Sequence, residues 1–307
     1  MRILVTGGAG FIGSNLVRQL QADGHEVVAV DDFSSAHWLN LKDFRGDVIT
    51  CDLADGIESV MAERPAFDVI FHQASITDTT VHDARKMMRN NVEAFRNLLD
   101  LATKWGSRMI WASSCSIYGQ GPVPMKEAQT PDPLNVYAFS KMVMERLAEQ
   151  YQPRLKYPII GLRYSNVYGR GEAHKGKFAS MIHQLARQMR AGNRPRIFHH
   201  GQQRRDFVYV DDVVQINLRA MTAKTGGIFN AGFGDAFSFN QVVEQLNRVL
   251  KTDLQPDYFE NPYSFTQDWT QTDLTESRRV LEFVPQFDLK KGIEAYHASG
   301  YLGQDKS

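Results

Sequence analysis

The sequence predicts an α/β fold: a doubly wound parallel sheet with helices on both faces and a smaller C-terminal lobe beside it. Short apolar runs alternate with helical patterns from Met1 to about Gly161, as in successive βαβ units. A glycine-rich turn, Thr6-Gly-Gly-Ala-Gly-Phe-Ile-Gly13, directly follows the first of those runs. At 307 residues the chain is long enough to bury one large core or two joined ones.

The elements follow in order. Ile3, Leu4 and Val5 form a short apolar strand, and Phe11, Ile12, Leu16, Val17 and Leu20 recur at helical spacing. Val27–Val30, Val69–His72, Met109–Ala112 and Ile159–Leu162 read as further buried strands. After about Asn166 the pattern loosens into loops rich in Gly, Pro, Arg and His. Phe207–Val210 then reads as a strand and Val213–Met221 as a helix, a pair expected to return the chain to the first lobe. The helical Phe239–Leu250 belongs to the smaller lobe. The expected division is a first domain over 1–165 and a second lobe over 166–307, with about 204–225 returning to the first.

The glycine turn has a chemical meaning in this setting, because it links a strand to a helix. Gly7 permits the tight turn, Gly10 lets a pyrophosphate approach the backbone, and Gly13 lets the helix pack on the strand. Free N–H groups at the helix N-terminus then hold the phosphates. Asp31 closes the next apolar run about 20 residues on, where an acid can bind a ribose hydroxyl. The combination predicts a Rossmann-type dinucleotide-binding domain over 1–165, with ligands in the cleft at the carboxyl ends of the strands.

Composition narrows the classes. Thirty-five basic and 35 acidic residues cancel, so no overall field recruits nucleic acid or an anionic membrane. No apolar run approaches the ~20 residues of a membrane span, and the opening strand leaves no signal peptide to expect. Cys51 and Cys115 are too few for a disulfide framework and point to a reducing compartment, the cytoplasm. The nine histidines show no metal spacing; His199 and His200 are adjacent and His72 ends a strand, so no metal is expected.

Tyr137-Ala-Phe-Ser-Lys141 opens a helix after the Pro-rich Pro131–Pro133. Four residues apart on a helix is one face, so the lysine can sit beside the phenol. A free tyrosine has a pKa near ~10, and a neighbouring cation can lower it by roughly 1–3 units, giving a usable general base. Trp111-Ala-Ser-Ser-Cys-Ser-Ile-Tyr-Gly119 follows a buried strand, which brings Ser114 to the sheet's carboxyl edge. There it can bond an oxygen passing between alcohol and carbonyl, or satisfy local backbone in a turn.

The glycine turn, Ser114, Tyr137 and Lys141 together resemble the extended short-chain dehydrogenase/reductase superfamily over nearly the whole chain. Leu162-Arg-Tyr-Ser-Asn-Val-Tyr-Gly169 and Arg205-Asp-Phe-Val-Tyr-Val-Asp-Asp212 resemble its nucleotide-sugar branch. The resemblance implies recycled NAD as cofactor. Gly7, Gly10, Phe11, Ile12 and Gly13 would surround it, with Asp31 on the adenosine ribose and Asp52 and Leu53 at the adenine. Gln73, Ala74 and Asn91 complete the implied cofactor set with Tyr137 and Lys141, the last on the nicotinamide ribose. A nucleotide-diphosphate sugar is the implied partner, met by Ser114, Asn166, Lys175, Phe198 and Arg205. Asn166 and Arg205 would hold the diphosphate, for which an Arg fork is suited.

Four further stretches are similar to the ADP-L-glycero-D-manno-heptose 6-epimerases: Leu134–Tyr137, Glu172–Ser180, Gly227–Gly232 and Thr270–Leu274. In that family the lysine of the His-Lys-Gly run lies across the sugar from the tyrosine, and here it is Lys175. Inverting a secondary alcohol puts the hydroxyl on opposite sides in substrate and product, so one fixed base serves only one of them. Tyr137 and Lys175 would each serve one epimer. Lys175 can equally be a solvated loop lysine or a phosphate ligand.

The sequence departs from that family in places. Asp31-Asp32-Phe33-Ser34-Ser35 would oppose a 2′-phosphate with two carboxylates and so favours NAD; Lys42 and Arg45 could compensate, which leaves NADP open. The same run resembles NAD-dependent sugar 4-epimerases, and Lys177 adds a charge after His-Lys-Gly. A UDP-hexose 4-epimerase, needing Ser114, Tyr137 and Lys141 but no Lys175, is therefore the main alternative. Cys115 and Ser116 stand where dehydratases of the superfamily carry acids, and Ser-Ser-Cys resembles the epimerase-reductases of deoxysugar formation. A cofactor-sensing protein on the same fold is the non-enzymatic alternative, though such proteins dispense with the Tyr-Lys pair. Met87-Met88 and Met142/Met144 read as packing or a partner-helix surface. By resemblance, the helices near Val92–Ala102 and Lys141–Gln150 would pair with a second subunit in a homodimer or larger homo-oligomer.

Overall fold

In the strand Arg2–Thr6, Ile3 and Val5 face one side of the sheet and Leu4 the other, as the two-residue period of a strand requires. The computed structural model describes residues 1–260 and 268–304. Seven strands form one sheet in the order Gly227–Ala231, Ile160–Tyr164, Arg108–Ser114, Val69–His72, Arg2–Thr6, Glu26–Asp31, Asp47–Thr50. Every neighbouring pair is parallel. Both faces are covered, which is why the strands read as continuous apolar runs.

On one face Ile3, Val5, Val27 and Phe71 pack with Leu16 and Leu20 of the helix Phe11–Ala22 and with Val213 and Ile216 of the helix Val210–Ala220. On the other, Leu4, Val28, Ile70 and Trp111 meet Phe95 and Leu98 of the helix Ala94–Trp105 and Met144 and Leu147 of the helix Val136–Tyr151. Each fully buried aliphatic side chain contributes about 1.5–3 kcal/mol, so these two layers dominate the stability. A third cluster, with Tyr168, Ile182, Leu185, Phe239, Val242 and Ile293, forms the core of the C-terminal region.

Local chemistry starts the helices where the sequence predicts them. Asn135 accepts from Ala138 N (2.8 Å) and caps the helix bearing Tyr137. Ser238 and Gln241 form a reciprocal capping box ahead of Phe239–Leu250. Met87 and Met144 are fully buried, so both serve packing within the chain.

Two strands differ from the expectation. Asp47–Thr50 lies at the sheet edge with only Ile49 buried, so it leaves little apolar signal. Gly227–Ala231 pairs with Ile160–Tyr164, so the return to the sheet extends beyond the expected 204–225. Its glycine and the buried Asn230 disguise it as a loop.

Candidate active site

The strand order reverses between Arg2–Thr6 and Val69–His72, and the crevice beyond their carboxyl ends is where open α/β sheets bind ligands. The glycine turn occupies that point. Gly7 has φ +68°, and a Cβ there would lie 2.5 Å from Ala74 N, across the crevice. At Gly13 a Cβ would stand 2.0 Å from Gly7 O, so the helix approaches the turn only because that position is bare. A Cβ at Gly10 would meet only Gly7 O, at 3.1 Å, which leaves its outer side open for a pyrophosphate. Gly7, Gly10, Gly13 and Ala74 are thus brought together, and the cradle fits a dinucleotide.

Asp31 is buried and accepts from Ala9 N and Phe33 N, both at 3.0 Å. Burial pushes its carboxyl up from the ordinary value, opposed by those backbone bonds. The next residue, Asp32, is exposed and accepts from Ser34 N (2.9 Å) and Ser34 Oγ (2.7 Å). Two carboxylates therefore stand side by side at the carboxyl end of the strand Glu26–Asp31, where the ribose is expected. Arg45 does not offset them, because it lines a surface cavity with Arg2, His25 and Asp47 at the amino ends of the strands, whereas Asp31 closes the carboxyl end of its own. Leu53 is buried beside Asp52, whose carboxylate accepts from Ala54 N (2.9 Å) and pairs with Arg89 (3.1 Å).

Gln73 and Asn91, both in the implied cofactor set, already have partners within the protein. Gln73 Nε2 donates to Asn217 (3.2 Å) and its Oε1 accepts from Tyr164 OH (3.0 Å). Asn91 is fully buried on a π-helical turn, Arg89–Glu93, and donates to Ser140 Oγ (2.9 Å) while accepting from Ile76 N (2.8 Å). Its amide is spent on tying the loop after Val69–His72 to the helix that carries Tyr137 and Lys141. It therefore supports the site from beneath.

Ser114 and Tyr137 share a hydrogen bond, and Ser114 Oγ also accepts from Ser116 N (3.1 Å), so the serine satisfies local backbone and stands beside the phenol. Lys141 is buried; its Nζ lies 5.8 Å from the centre of the Tyr137 ring and donates to Ala112 O at 2.7 Å. The expected lowering of the tyrosine pKa is not what these groups produce. Burial raises the Tyr137 phenol, with the Ser114 bond opposing it, and the lysine is not among the causes. Burial also lowers Lys141 to about 7, opposed by Glu145, so its own positive charge is partly lost.

Glu145 lies one turn beyond Lys141 and was missed from the sequence, although Tyr137, Lys141 and Glu145 recur every four residues on one face. Its carboxylate accepts from Ser113 Oγ (2.7 Å) and forms a bidentate pair with Arg163 (2.8 and 2.7 Å). This buried pair anchors the helix to the strands Arg108–Ser114 and Ile160–Tyr164. Cys115 is buried with Sγ against Arg163 O (3.2 Å), and burial pushes its thiol well up, as suits a packed thiol.

Lys175 is half-buried, with Nζ 5.8 Å from the centre of the Phe11 ring at the start of the first helix. Burial lowers its pKa, with Glu172 opposing. Glu172, also missed, is fully buried and accepts from Gly169 N (3.0 Å), Ser180 N (2.5 Å) and Ser180 Oγ (3.0 Å), closing the segment that carries Lys175.

Asn166 lies opposite Phe207 in a parallel strand pair, and Arg205, two residues before Phe207, pairs with Phe237. Asn166 Nδ2 donates to Asp206 O (3.1 Å) and Thr270 Oγ1 (3.3 Å). Arg205 is half-buried, and burial lowers it to about 10, with Asp268 opposing. The fully buried Asp206 accepts from Phe233 N (2.7 Å), Gly234 N (3.1 Å) and Thr272 N (3.0 Å), fastening two segments to the chain beside Arg205. Phe198 packs edge-on to Phe259 at 5.6 Å, between the short strands Arg196–Phe198 and Asp257–Phe259.

A phosphate-binding turn at the switch point, with a hydroxyl, a phenol and an amine grouped on the neighbouring strand and helix, defines a dinucleotide-dependent enzyme acting at a carbon–oxygen bond. A family model described as the NAD dependent epimerase/dehydratase family matches residues 3–232, and the chain belongs to that family. The ADP-L-glycero-D-manno-heptose-6-epimerase of Brachyspira hyodysenteriae is 35% identical over 319 residues, covering 98% of this chain and 99% of that protein. The crystal structure of the Helicobacter pylori enzyme of the same name is 37% identical, with a TM-score of 0.91 over 97% of this chain and 95% of its own. A UDP-glucose 4-epimerase from Thermotoga maritima, crystallised with UDP-glucose, is 30% identical, with a TM-score of 0.90 over 98% of both chains. The chain is an NAD-dependent nucleotide-sugar epimerase by class.

Proposed function

We propose that this enzyme inverts C6 of an ADP-activated glycero-manno-heptose by transient oxidation and re-reduction. NAD, held by the glycine turn and Asp31, supplies a hydride acceptor that is restored within each turnover. Tyr137 would move the proton of the C6 hydroxyl in one epimer, with Ser114 bonded to the same oxygen. Lys175 would move it in the other. Asn166 and Arg205 would hold the diphosphate, and Phe198 would line the nucleotide end. The observation that carries the reading is the second amine: a half-buried Lys175 with its Nζ 5.8 Å from the centre of the Phe11 ring, beside the glycine turn, where burial lowers its pKa from the ordinary lysine value.

The test is a proton NMR time course with ADP-D-glycero-D-manno-heptose and catalytic NAD. The L-glycero epimer should appear without accumulation of NADH. An unchanged spectrum from folded, cofactor-loaded enzyme overturns the substrate. The similarity to the Thermotoga maritima 4-epimerase and the Asp31-Asp32 pair support a second reading, a UDP-hexose 4-epimerase, in which Lys175→Met leaves turnover intact.

Assembly as a homodimer or larger homo-oligomer forms part of the proposal, with exposed Leu134 and Phe139 as apolar surface at the start of the Val136–Tyr151 helix. So does a cytoplasmic location, which two free cysteines fit.

A further inference from the structure

Lys175 lies on a short 3-10 segment, Ala173–Phe178, kinked at Gly176, and the chain leading into it is held by side chains of the dinucleotide-binding unit. Asn15, buried on the first helix, donates to Arg170 O (2.8 Å) and accepts from Arg170 Nε (2.8 Å). Asn40, on the loop that follows Asp31, donates to Ala9 O of the glycine turn at 2.9 Å. The same amide nitrogen lies 3.4 Å from Gly171 O and 3.2 Å from His174 Nδ1. His174 Nδ1 in turn lies 2.9 Å from Gly171 O.

Chemistry fixes the proton. Burial lowers the His174 pKa, opposed by the bond to Gly171 and aided by neighbouring Lys175, and a neutral ring carries one N–H. Gly171 O can only accept, so that hydrogen is on Nδ1 and points at it. Asn40 then cannot donate to Nδ1, and its two hydrogens go to Ala9 O and Gly171 O. Gly171 O is therefore gripped from both sides, by the cofactor loop through Asn40 and by the lysine segment through His174. Gly171 fits there with φ +91°; a Cβ would lie 3.4 Å from Asn15 Nδ2 and 3.7 Å from Asn40 Oδ1.

We propose that His174 is a positioning residue for Lys175, and that the Asn40–Gly171–His174 clasp fixes the lysine segment to the glycine turn. Tyr137 and Lys175 then stand on one frame, and the sugar turns over between two fixed groups. The inference rests on the reading of Lys175 as the second acid/base group.

The test uses the NAD-loaded enzyme with ADP-D-glycero-D-manno-heptose and, separately, its L-glycero epimer. Overall interconversion is read by NMR, and the rate of nicotinamide reduction by single-turnover absorbance from each side. His174→Leu removes the N–H. His174→Asn returns a donor near the position of Nδ1. His174→Leu is expected to slow interconversion by about 10- to 100-fold, the size of an effect from misplacing a reacting group. The loss should fall on reduction from one epimer, the one that also fails in Lys175→Met, with the other within about two-fold of the parent. His174→Asn should recover most of the rate.

Normal interconversion by His174→Leu overturns the inference, and so does an equal loss from both epimers that His174→Asn does not repair. If Lys175→Met itself interconverts the epimers normally, the reading of Lys175 falls and the inference with it. If Lys175→Met is inactive while His174→Leu is normal, only the positioning role falls.

Discussion

Tyr137 stands on a 16-residue helix whose Lys141 and Glu145 are fastened to two sheet strands, whereas Lys175 stands on a six-residue 3-10 segment, kinked at Gly176 and fastened by Asn15, Asn40, Glu172 and His174. Both groups end half-buried at the cleft with altered pKa values. In the first region, backbone periodicity does the placing and side chains add rigidity. In the second, only short backbone turns (Lys175 N to Glu172 O, 3.0 Å; Ala179 N to Gly176 O, 3.1 Å) set the local path, and side-chain bonds to backbone fasten it to the rest of the fold. Regular structure tolerates the loss of one bond, because the helix still directs the side chain. A short turn held in place by side chains has less reserve.

The largest effect expected on this contrast is on activity. Tyr137→Phe should lower kcat/KM for interconversion by about 10²- to 10⁴-fold, the usual contribution of one acid/base group. A loss below ten-fold in steady-state assays would place the proton transfer elsewhere.

Next comes the anchor of the tyrosine helix. Arg163→Met leaves Glu145 buried without its cation and should cost about 3–5 kcal/mol in urea unfolding. Glu145→Leu combined with Arg163→Met should recover much of that stability. If the single and double variants unfold alike, the pair is not what holds the helix.

A smaller loss is expected from the lysine segment. Glu172→Gln keeps one acceptor but weakens three bonds, for about 1.5–3 kcal/mol. Hydrogen exchange at Ser180 N should speed up while exchange in the Val136–Tyr151 helix stays unchanged. Equal acceleration of both would erase the contrast drawn here.

The gentlest probe is pH. His72 bonds Thr6 Oγ1 (2.8 Å) and stacks on Phe95, and burial lowers it to about 3, with Lys141 adding to the shift. Its folded pKa lies below the unfolded value, so the unfolded chain binds the extra proton between about pH 6.5 and 3. Stability from this group is complete above pH 6.5 and is lost on acidification, by at most about 1.4 kcal/mol per pH unit. His72→Phe should flatten that slope in denaturant titrations over pH 4–6.5; an unaltered slope would assign the acid sensitivity to other groups.

The legibility of the chain follows the same division. Five of the seven sheet strands, the glycine turn and the Tyr-Lys-Ser set could be read because each depends on local period or spacing. Asp47–Thr50 escaped because one face of an edge strand needs little apolar content, and Gly227–Ala231 because its partner lies more than 60 residues earlier. The role proposed for Lys175 rests on a family resemblance. Glu172, Asp206, Asn40 and His174 could not be given roles, since each acts on backbone brought near only by the fold. Glu145 was the one recoverable omission, through its helical spacing from Lys141. The tyrosine pKa was misjudged because sequence spacing shows that a cation is near but not that it is turned to Ala112 O.

The late arrival of Gly227–Ala231 has a consequence during synthesis. Until roughly three-quarters of the polypeptide has emerged, Ile160–Tyr164 is the outer edge of an unfinished sheet, with a row of unpaired amide and carbonyl groups and all five residues otherwise destined for the interior. Such an edge readily recruits another strand. Nascent chains stalled near residue 200 should therefore be the stage at which this protein aggregates most readily, and release of the next few dozen residues should end that exposure.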